Sequence, residues 1–279
     1  MNLDYFDRIW KSDQKNKQVQ TENNNYDKLW DNRAKDFNRY GNDDRRDKII
    51  GLLLEKGMLH KSSTVLDIGC GPGKFVLEFA RRGQHVIGID ISSKMLQYAS
   101  ENLAVHNIDN AEFKEINWVK ADLAALNWQK KFSLVVGIMS PAFWSRKGLE
   151  KMIEASNDGG LICHFVERQE SIGDVLKKEV LGRKLGDEYG NKGLYCSLNV
   201  LWLYKLYPEI AYFNTVKEAV RPVEEAAHSF IARYEMRGEL TAAQKMEIGD
   251  ILKKKSENGV LKERTTSKIA CIYWKSTPR

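Results

Sequence analysis

No apolar run in this sequence approaches the ~20 residues that a helix needs to span a bilayer, and 29% of its 279 residues are charged. The opening MNLDYFDRIWKSDQ alternates acids, bases and aromatics, and it has neither the apolar stretch nor the small-residue cleavage site of a secretory signal. A cytoplasmic location and no membrane partner are therefore expected. Cysteine is scarce. Cys70, Cys163, Cys196 and Cys271 form no CxxC pair, which argues against a zinc site and against a disulfide framework, so no metal is expected. There is no internal repeat and no low-complexity linker. An excess of one charge sign is also missing: the formal net charge is +6 with both signs interspersed. The one dense basic run, Lys253-Lys254-Lys255, falls at the end of a predicted helix, where the helix dipole favours cations. This balance argues against a nucleic-acid partner.

What is present is the composition of a globular protein large enough to bury a core without staples. The length fits one large domain, or one domain with a cap. Residues 1–25 are polar, with an Asn run at 23–25, and read as an arm. From Tyr26 the pattern changes: Tyr26, Trp30, Ala34 and Phe37 share one face of a predicted helix that Gly41 ends. Residues 1–42 are thus an N-terminal arm and helix, and 43–279 the main domain.

The main domain alternates two periods. STVLDIG, HVIGID, AEFKEIN, FSLVVGIM and GLICHFV are short runs of strand character. Helical patterns such as KFVLEFARRG, SKMLQYASENL (with Ser92 as its cap) and RKGLEKMIEASN separate them. Strands alternating with helices of this length imply βαβ units and a mostly parallel, doubly wound α/β sheet. After residue 167 the rhythm breaks. IAYFNTV and KIACIYWK read as two further strands, making seven, and about 217–262 reads as a helical insertion before the last strand that caps the carboxyl edge of the sheet.

The chemistry is concentrated in VLDIGCGPGKF, residues 65–75. Gly69, Gly71 and Gly73 punctuate a strand-to-helix turn, where positive φ and close approach of backbone to a ligand call for glycine. Asp90 ends the next strand, where a carboxylate can accept hydrogen bonds from both ribose hydroxyls of an adenosine. A P-loop is excluded because Gly73-Lys74 is followed by Phe75 and the earlier spacing is wrong. A dinucleotide fingerprint needs GxGxxG, and this turn reads GxGxG.

Asp67-Ile68-Gly69-Cys70-Gly71-Pro72-Gly73 resembles, residue for residue, the first motif of class I S-adenosylmethionine-dependent methyltransferases. Ile89-Asp90-Ile91-Ser92 resembles their second, and Asp158-Gly159-Gly160 their fifth. The resemblance spans about residues 43–166. It implies S-adenosylmethionine as cofactor, S-adenosylhomocysteine as product, and a contact set of Asp67, Gly69, Cys70, Gly71, Gly73, Asp90, Ile91, Met95 and Met139. The family's third motif is less clean: Asn117 and Trp118 stand where an acidic residue usually meets adenine, with Asp122 as the alternative.

Ser140-Pro141-Ala142-Phe143 resembles, with Ala142 in place of a second proline, the (D/N/S)PP(Y/F/W) tetrapeptide of amino-methylating enzymes. Met139-Ser140-Pro141-Ala142 together with Trp30-Asp31-Asn32-Arg33-Ala34 is closer to a group of bacterial methyltransferases whose substrate the resemblance does not identify. From this, Ser140 and His164 are candidate catalytic residues. Trp30 and Phe37 are candidate lid residues over the cofactor, and Arg33, Phe143, Trp144 and Tyr195 candidate acceptor contacts. The expected reaction is methyl transfer to a small-molecule acceptor. A methyltransferase of RNA, DNA or protein, and a non-catalytic S-adenosylmethionine-binding protein, are the alternatives.

Overall fold

The computed structural model describes residues 2–14, 26–39, 42–143, 145–183, 192–236, 238 and 240–276. Its central strands are the apolar runs of the sequence: β2 (Thr64–Ile68), β3 (His85–Asp90), β4 (Ala111–Glu115), β5 (Phe132–Ile138) and β6 (Ser156–Glu170). All five are parallel. Such strands are covered on both faces by their crossover helices, so both sides of β2 must be apolar; Val65 and Leu66 point to opposite faces and both are buried. With β7 (Glu209–Pro222), β8 (Val260–Lys275) and a two-residue β1 (Asn42–Asp43), the order across the sheet is β1-β7-β8-β6-β5-β2-β3-β4. β8 runs antiparallel to both of its neighbours. Without β1 this is the expected seven-stranded mixed sheet. Its strand order reverses between β2 and β5, which opens a crevice at their carboxyl ends.

Two apolar layers hold the sheet. On one face, α4 (Arg45–Glu55), α5 (Lys74–Ala80) and α6 (Ser93–Val105) bury Ile49, Leu53, Phe79 and Leu103 against Val65, Val86 and Val136. On the other, α7 (Arg146–Ala155) and α9 (Lys192–Leu203) pack on Leu66, Ile87, Val135 and Ile162. α1 (Leu3–Gln14) joins this second layer. Its residues Phe6 and Trp10 are 1% and 2% exposed. The expected N-terminal arm is therefore, over residues 3–14, a docked helix. Leu3, Phe6 and Trp10 form a stripe at helical spacing that the polar majority of the segment hides.

β6, β7 and β8 are much longer than the sequence pattern suggests. β5 ends at Ile138 opposite Cys163, yet β6 continues to Glu170, and the β7–β8 ladder continues to Pro222↔Val260. These three strands run past the carboxyl edge of the sheet as a twisted wall. α8 (Gly173–Glu179), α10 (Val223–Glu235) and α11 (Ala242–Lys255) pack on it around Leu176, Phe230, Ile248, Leu252 and Leu261. A helical insertion stands before the last strand, with its helices confined to 223–255 and with α8 packed beside them. Thr241 and Gln244 form a capping box at the start of α11. Among the described residues no helix is long and apolar enough to cross a membrane.

The docking of α1 yields a direct test. Phe6→Ala removes a fully buried ring from a packed layer and should cost about 3–5 kcal/mol in urea unfolding; a loss below ~1 kcal/mol would show that α1 does not belong to the core.

Candidate cofactor and acceptor site

The glycine-rich loop is held to β3 before any ligand is considered. The N–H groups of Gly69 and Cys70 both donate to the Ile89 carbonyl, at 2.8 and 2.9 Å. The Asp90 carboxylate grips the loop from the other side: Oδ2 accepts from Gly71 N at 2.9 Å and Oδ1 from Ser92 N at 3.0 Å. Each oxygen keeps acceptor capacity for a hydroxyl group. Gly69 and Gly71 have φ of +71° and +54°. They are glycines for different reasons. A Cβ on Gly69 would stand 2.1 Å from Ser140 Oγ, whereas a Cβ on Gly71 would meet nothing closer than Met95 Sδ at 3.9 Å. Protein fills the space beside the first; the second presents bare backbone to the crevice. Gly73, also at positive φ, precedes the first residue of α5.

Asp67, at the end of β2, is buried, and its carboxyl pKa is pushed up to about 8 by burial first and by the charge of Asp90 second. Burial also raises Asp90, against the backbone N–H bonds from Ser92, Gly71 and Ile91. Burial and both carboxylates push the Cys70 thiol well up, which leaves it a neutral wall rather than a nucleophile. Two carboxyls beside an exposed backbone turn suit a ligand that carries positive charge and vicinal hydroxyls. Ser92 caps α6 by accepting from Met95 N at 3.1 Å, and this sets Met95 beside Gly71.

At the end of β4, Asn117 Oδ1 accepts from Val119 N at 3.1 Å, and the amide nitrogen remains as a donor for a purine edge. Trp118 is 2% exposed, and its indole N–H donates to the Gly148 carbonyl on α7. Trp118 belongs to the core and does not stack in the crevice, a correction to the sequence reading. Asp122 caps its own turn through Ala124 N and Ala125 N.

The end of β5 is the most constrained backbone at the site. Met139 has φ +55°, uncommon for a residue with a side chain. Its N–H is held by the Cys163 carbonyl at 3.1 Å. The turn sets the Ser140 hydroxyl against Gly69 and lets it accept from Ala142 N at 3.2 Å. Phe143 then folds back into the space that Gly137 leaves, fully buried, with its ring 5.1 Å from that of His164. Phe143 is therefore core and not an acceptor contact, and His164 is buried against it. Tyr195 lies on α9 with its ring 5.8 Å from that of Phe6 on α1, a packing contact on the flank of the sheet. Trp144 lies outside the described residues.

The N-terminal segment spans the crevice as two short helices, α2 (Tyr26–Asp31) and α3 (Ala34–Asn38). Trp30 meets Tyr26 and Phe37 edge-on at 6.1 and 5.9 Å. Asp31 Oδ1 accepts from Ser92 Oγ at 2.6 Å and Lys94 N at 3.2 Å, a carboxylate at the N-terminus of α6, where the helix dipole favours it. Asn38 bonds Asn102, which in turn bonds the Pro72 carbonyl. Lys74 donates to the Arg39 carbonyl. On the cap side, Arg39 pairs with Glu225, Asp36 lies 3.7 Å from Arg221, and Arg33 Nη1 lies 3.3 Å from Met236 Sδ. One segment thus touches the cofactor loop, α6 and the cap. The sequence marks its aromatics and Arg33, and gives no role to Asp31, Asn38 or Asn102. The Trp-Asp dipeptide was the available signal for Asp31.

Residues 59–195 match the family profile described as "Methyltransferase domain". The chain carries a class I S-adenosylmethionine-dependent methyltransferase domain. It is 33% identical over 92 residues to the 23S rRNA (uracil(1939)-C(5))-methyltransferase RlmD of Vibrio cholerae, a match covering 33% of this chain and 20% of that protein. It is 32% identical over 90 residues to the ribosomal protein L11 methyltransferase of Lactobacillus johnsonii, covering 32% of this chain and 26% of that protein. The matches thus span only about a fifth to a quarter of those relatives. Among solved structures, BH2331 of Bacillus halodurans C-125, provisionally named a methyltransferase, superposes with a TM-score of 0.51 at 14% identity, over 82% of this chain and 99% of that one. That likeness concerns the fold alone.

The methyltransferase cofactor fits this loop on the chemistry of its donors and acceptors. Asp90 offers acceptors for the ribose hydroxyls, Gly71 offers open backbone, and the raised carboxyl of Asp67 is relieved by a cationic ligand. That last point sets a pH dependence. In the free protein Asp67 binds a proton up to about pH 8. A ligand ammonium or sulfonium nearby favours the carboxylate, so binding expels a proton. Affinity for S-adenosylmethionine should rise between pH 6 and 8, by up to about tenfold per unit, and level off above. Calorimetry should show the slope in the wild type and its loss in Asp67→Asn. A flat wild-type profile would contradict it.

Proposed function

We propose that the domain transfers the methyl group of S-adenosylmethionine to a small-molecule acceptor, in a chamber between the glycine loop, the end of β5, the lid and the cap. The observation that carries this reading is the lid's double attachment, to α6 through Asp31 and to the cap through Arg39 and Asp36. A segment tied on both sides of a crevice roofs it, and an enclosed crevice suits a small ligand.

The cofactor supplies a methyl group already activated on a sulfonium. The chain's own work is then to orient and to exclude water. Asp90 and the Gly69–Gly71 backbone hold the nucleoside and amino-acid parts. Met139 and Ser140, set by the strained turn, stand where an acceptor approaches in line, and the buried Ser140 hydroxyl, against Gly69 and bonded by Ala142 N, holds the turn that orients it. The reading gives His164 no role as base, because its ring packs on Phe143.

A macromolecular substrate is the second reading. RlmD is named for 23S rRNA and the Lactobacillus johnsonii enzyme for ribosomal protein L11. The similarity to them covers a third of this chain, and the net charge is modest and dispersed. A screen with labelled S-adenosylmethionine over small amines, thiols, phenols and acids, beside bulk RNA and protein, separates the two. Transfer to a small molecule, reduced by Ser140→Ala about 10- to 100-fold, is the expected result. Label in macromolecules alone overturns the proposal.

A further inference from the structure

Where the lid meets the cap, basic side chains gather. On the wall, Glu170 is buried and takes both guanidinium nitrogens of Arg233 at 2.7 and 2.5 Å, Arg168 at 2.6 Å and Lys177 at 3.2 Å. Asp174 pairs with Lys177, and Asp36 and Glu263 face Arg221. The acids of this region are thus already engaged by cations. Arg33 enters from the lid. Its guanidinium lies 4.7 Å from the ring centroid of Phe37 and 5.6 Å from that of Trp30, and among the described residues its one hydrogen-bond contact is the thioether of Met236. Its Nε is buried without a partner, as is the Nε of Arg168. Among the described residues Arg33 forms no ion pair with a carboxylate.

This arrangement is unfavourable for the protein alone. Burial and then the nearby charge of Arg233 lower Arg33 to about 10; Asp36 opposes this, Arg168 adds to it, and Glu170 opposes it again. Two stacked rings and a sulfur, a weak acceptor, replace little of the water that a guanidinium gives up. The guanidinium fork is held against two rings and the Met236 thioether, keeps unused donors among the described residues, and lies close enough to Arg233 and Arg168 of the wall to feel their charge. Such a fork matches the two oxygens of a carboxylate or phosphate.

We propose that Arg33, beside Arg168, anchors an anionic group of the methyl acceptor, a carboxylate or a phosphate. The proposal rests on the chamber being an acceptor site. It adds a substrate class: small acceptors bearing a negative charge at one end, with the nucleophile presented toward Ser140 at the other. The rings of Trp30 and Phe37 beside the guanidinium hold its plane in place for the anion.

The test uses the full chain saturated with S-adenosylhomocysteine. Benzoate, phenyl phosphate and inorganic phosphate are compared with neutral benzamide by calorimetry, in wild type, Arg33→Gln, Arg33→Met and Arg33→Lys. The wild type should bind the aromatic anions about tenfold or more tighter than benzamide. Arg33→Gln and Arg33→Met should lose about ten- to a hundredfold of that affinity, and Arg33→Lys less. S-Adenosylhomocysteine affinity should change by less than about threefold, which also shows that the variants fold. No preference for anions, or equal anion binding by all four proteins, overturns the proposal. So does a loss of S-adenosylhomocysteine affinity in Arg33→Gln with anion binding intact, which would assign Arg33 to the cofactor's own carboxylate. Because these readings are of binding, they stand apart from the transfer assay, where label in macromolecules alone would remove the acceptor-site reading itself.

Discussion

Asp90 joins the parts of this molecule that must act together. One carboxylate oxygen holds the glycine loop by Gly71 N, and the other holds the entry to α6 by Ser92 N. The Ser92 hydroxyl caps that helix and also donates to Asp31 of the lid. Loop, helix and roof therefore meet within three residues. Hydrogen bonds to a charged group contribute about 1.5–3 kcal/mol each, so the cluster can hold a desolvated carboxylate in place. That carboxylate keeps acceptor capacity for a ligand, which is how a structural clamp doubles as a binding group.

The second constraint is the length of β6, β7 and β8. Parallel strands end where their helices take over, and β5 does so at Ile138. The antiparallel ladder has no such stop. It continues for several residues past the edge and there acquires its own small core and a buried carboxylate ringed by Arg168, Arg233 and Lys177. The cap is thus an outgrowth of the sheet, and the segment of Asp31 to Arg39 bonds both to the start of α6 and to the cap.

The mostly parallel α/β sheet and the cofactor loop were legible in the sequence because both rest on local rules: doubly buried strands read as apolar runs, and a turn approached by a ligand needs glycine. The cap was legible as an insertion, but not its extent. In Val260–Lys268 two apolar residues are followed by seven polar ones with no alternation, and only pairing with β7 makes it strand. Side-chain roles past β5 were the least legible. Phe143 and Trp118 sit one turn from the crevice in sequence, yet a missing side chain at Gly137 and a carbonyl at Gly148 draw them inward. Tyr195 reads in the sequence as an acceptor contact, while α9 crosses to the flank and meets α1. Arg33 could be named from a short motif, but its charged surroundings come from Arg168 and Arg233, more than a hundred residues away.

The central claim is that cofactor loop, lid and cap form one coupled unit around the crevice. Hydrogen exchange with and without S-adenosylhomocysteine tests it directly. Ligand should slow exchange in residues 67–75 and 88–95, and with them in the lid at 26–39 and in the cap at 223–236, since Asp31, Asp36 and Arg39 link them. Slowing confined to the loop and the start of α6, with lid and cap exchanging as fast as in the free protein, would contradict the account.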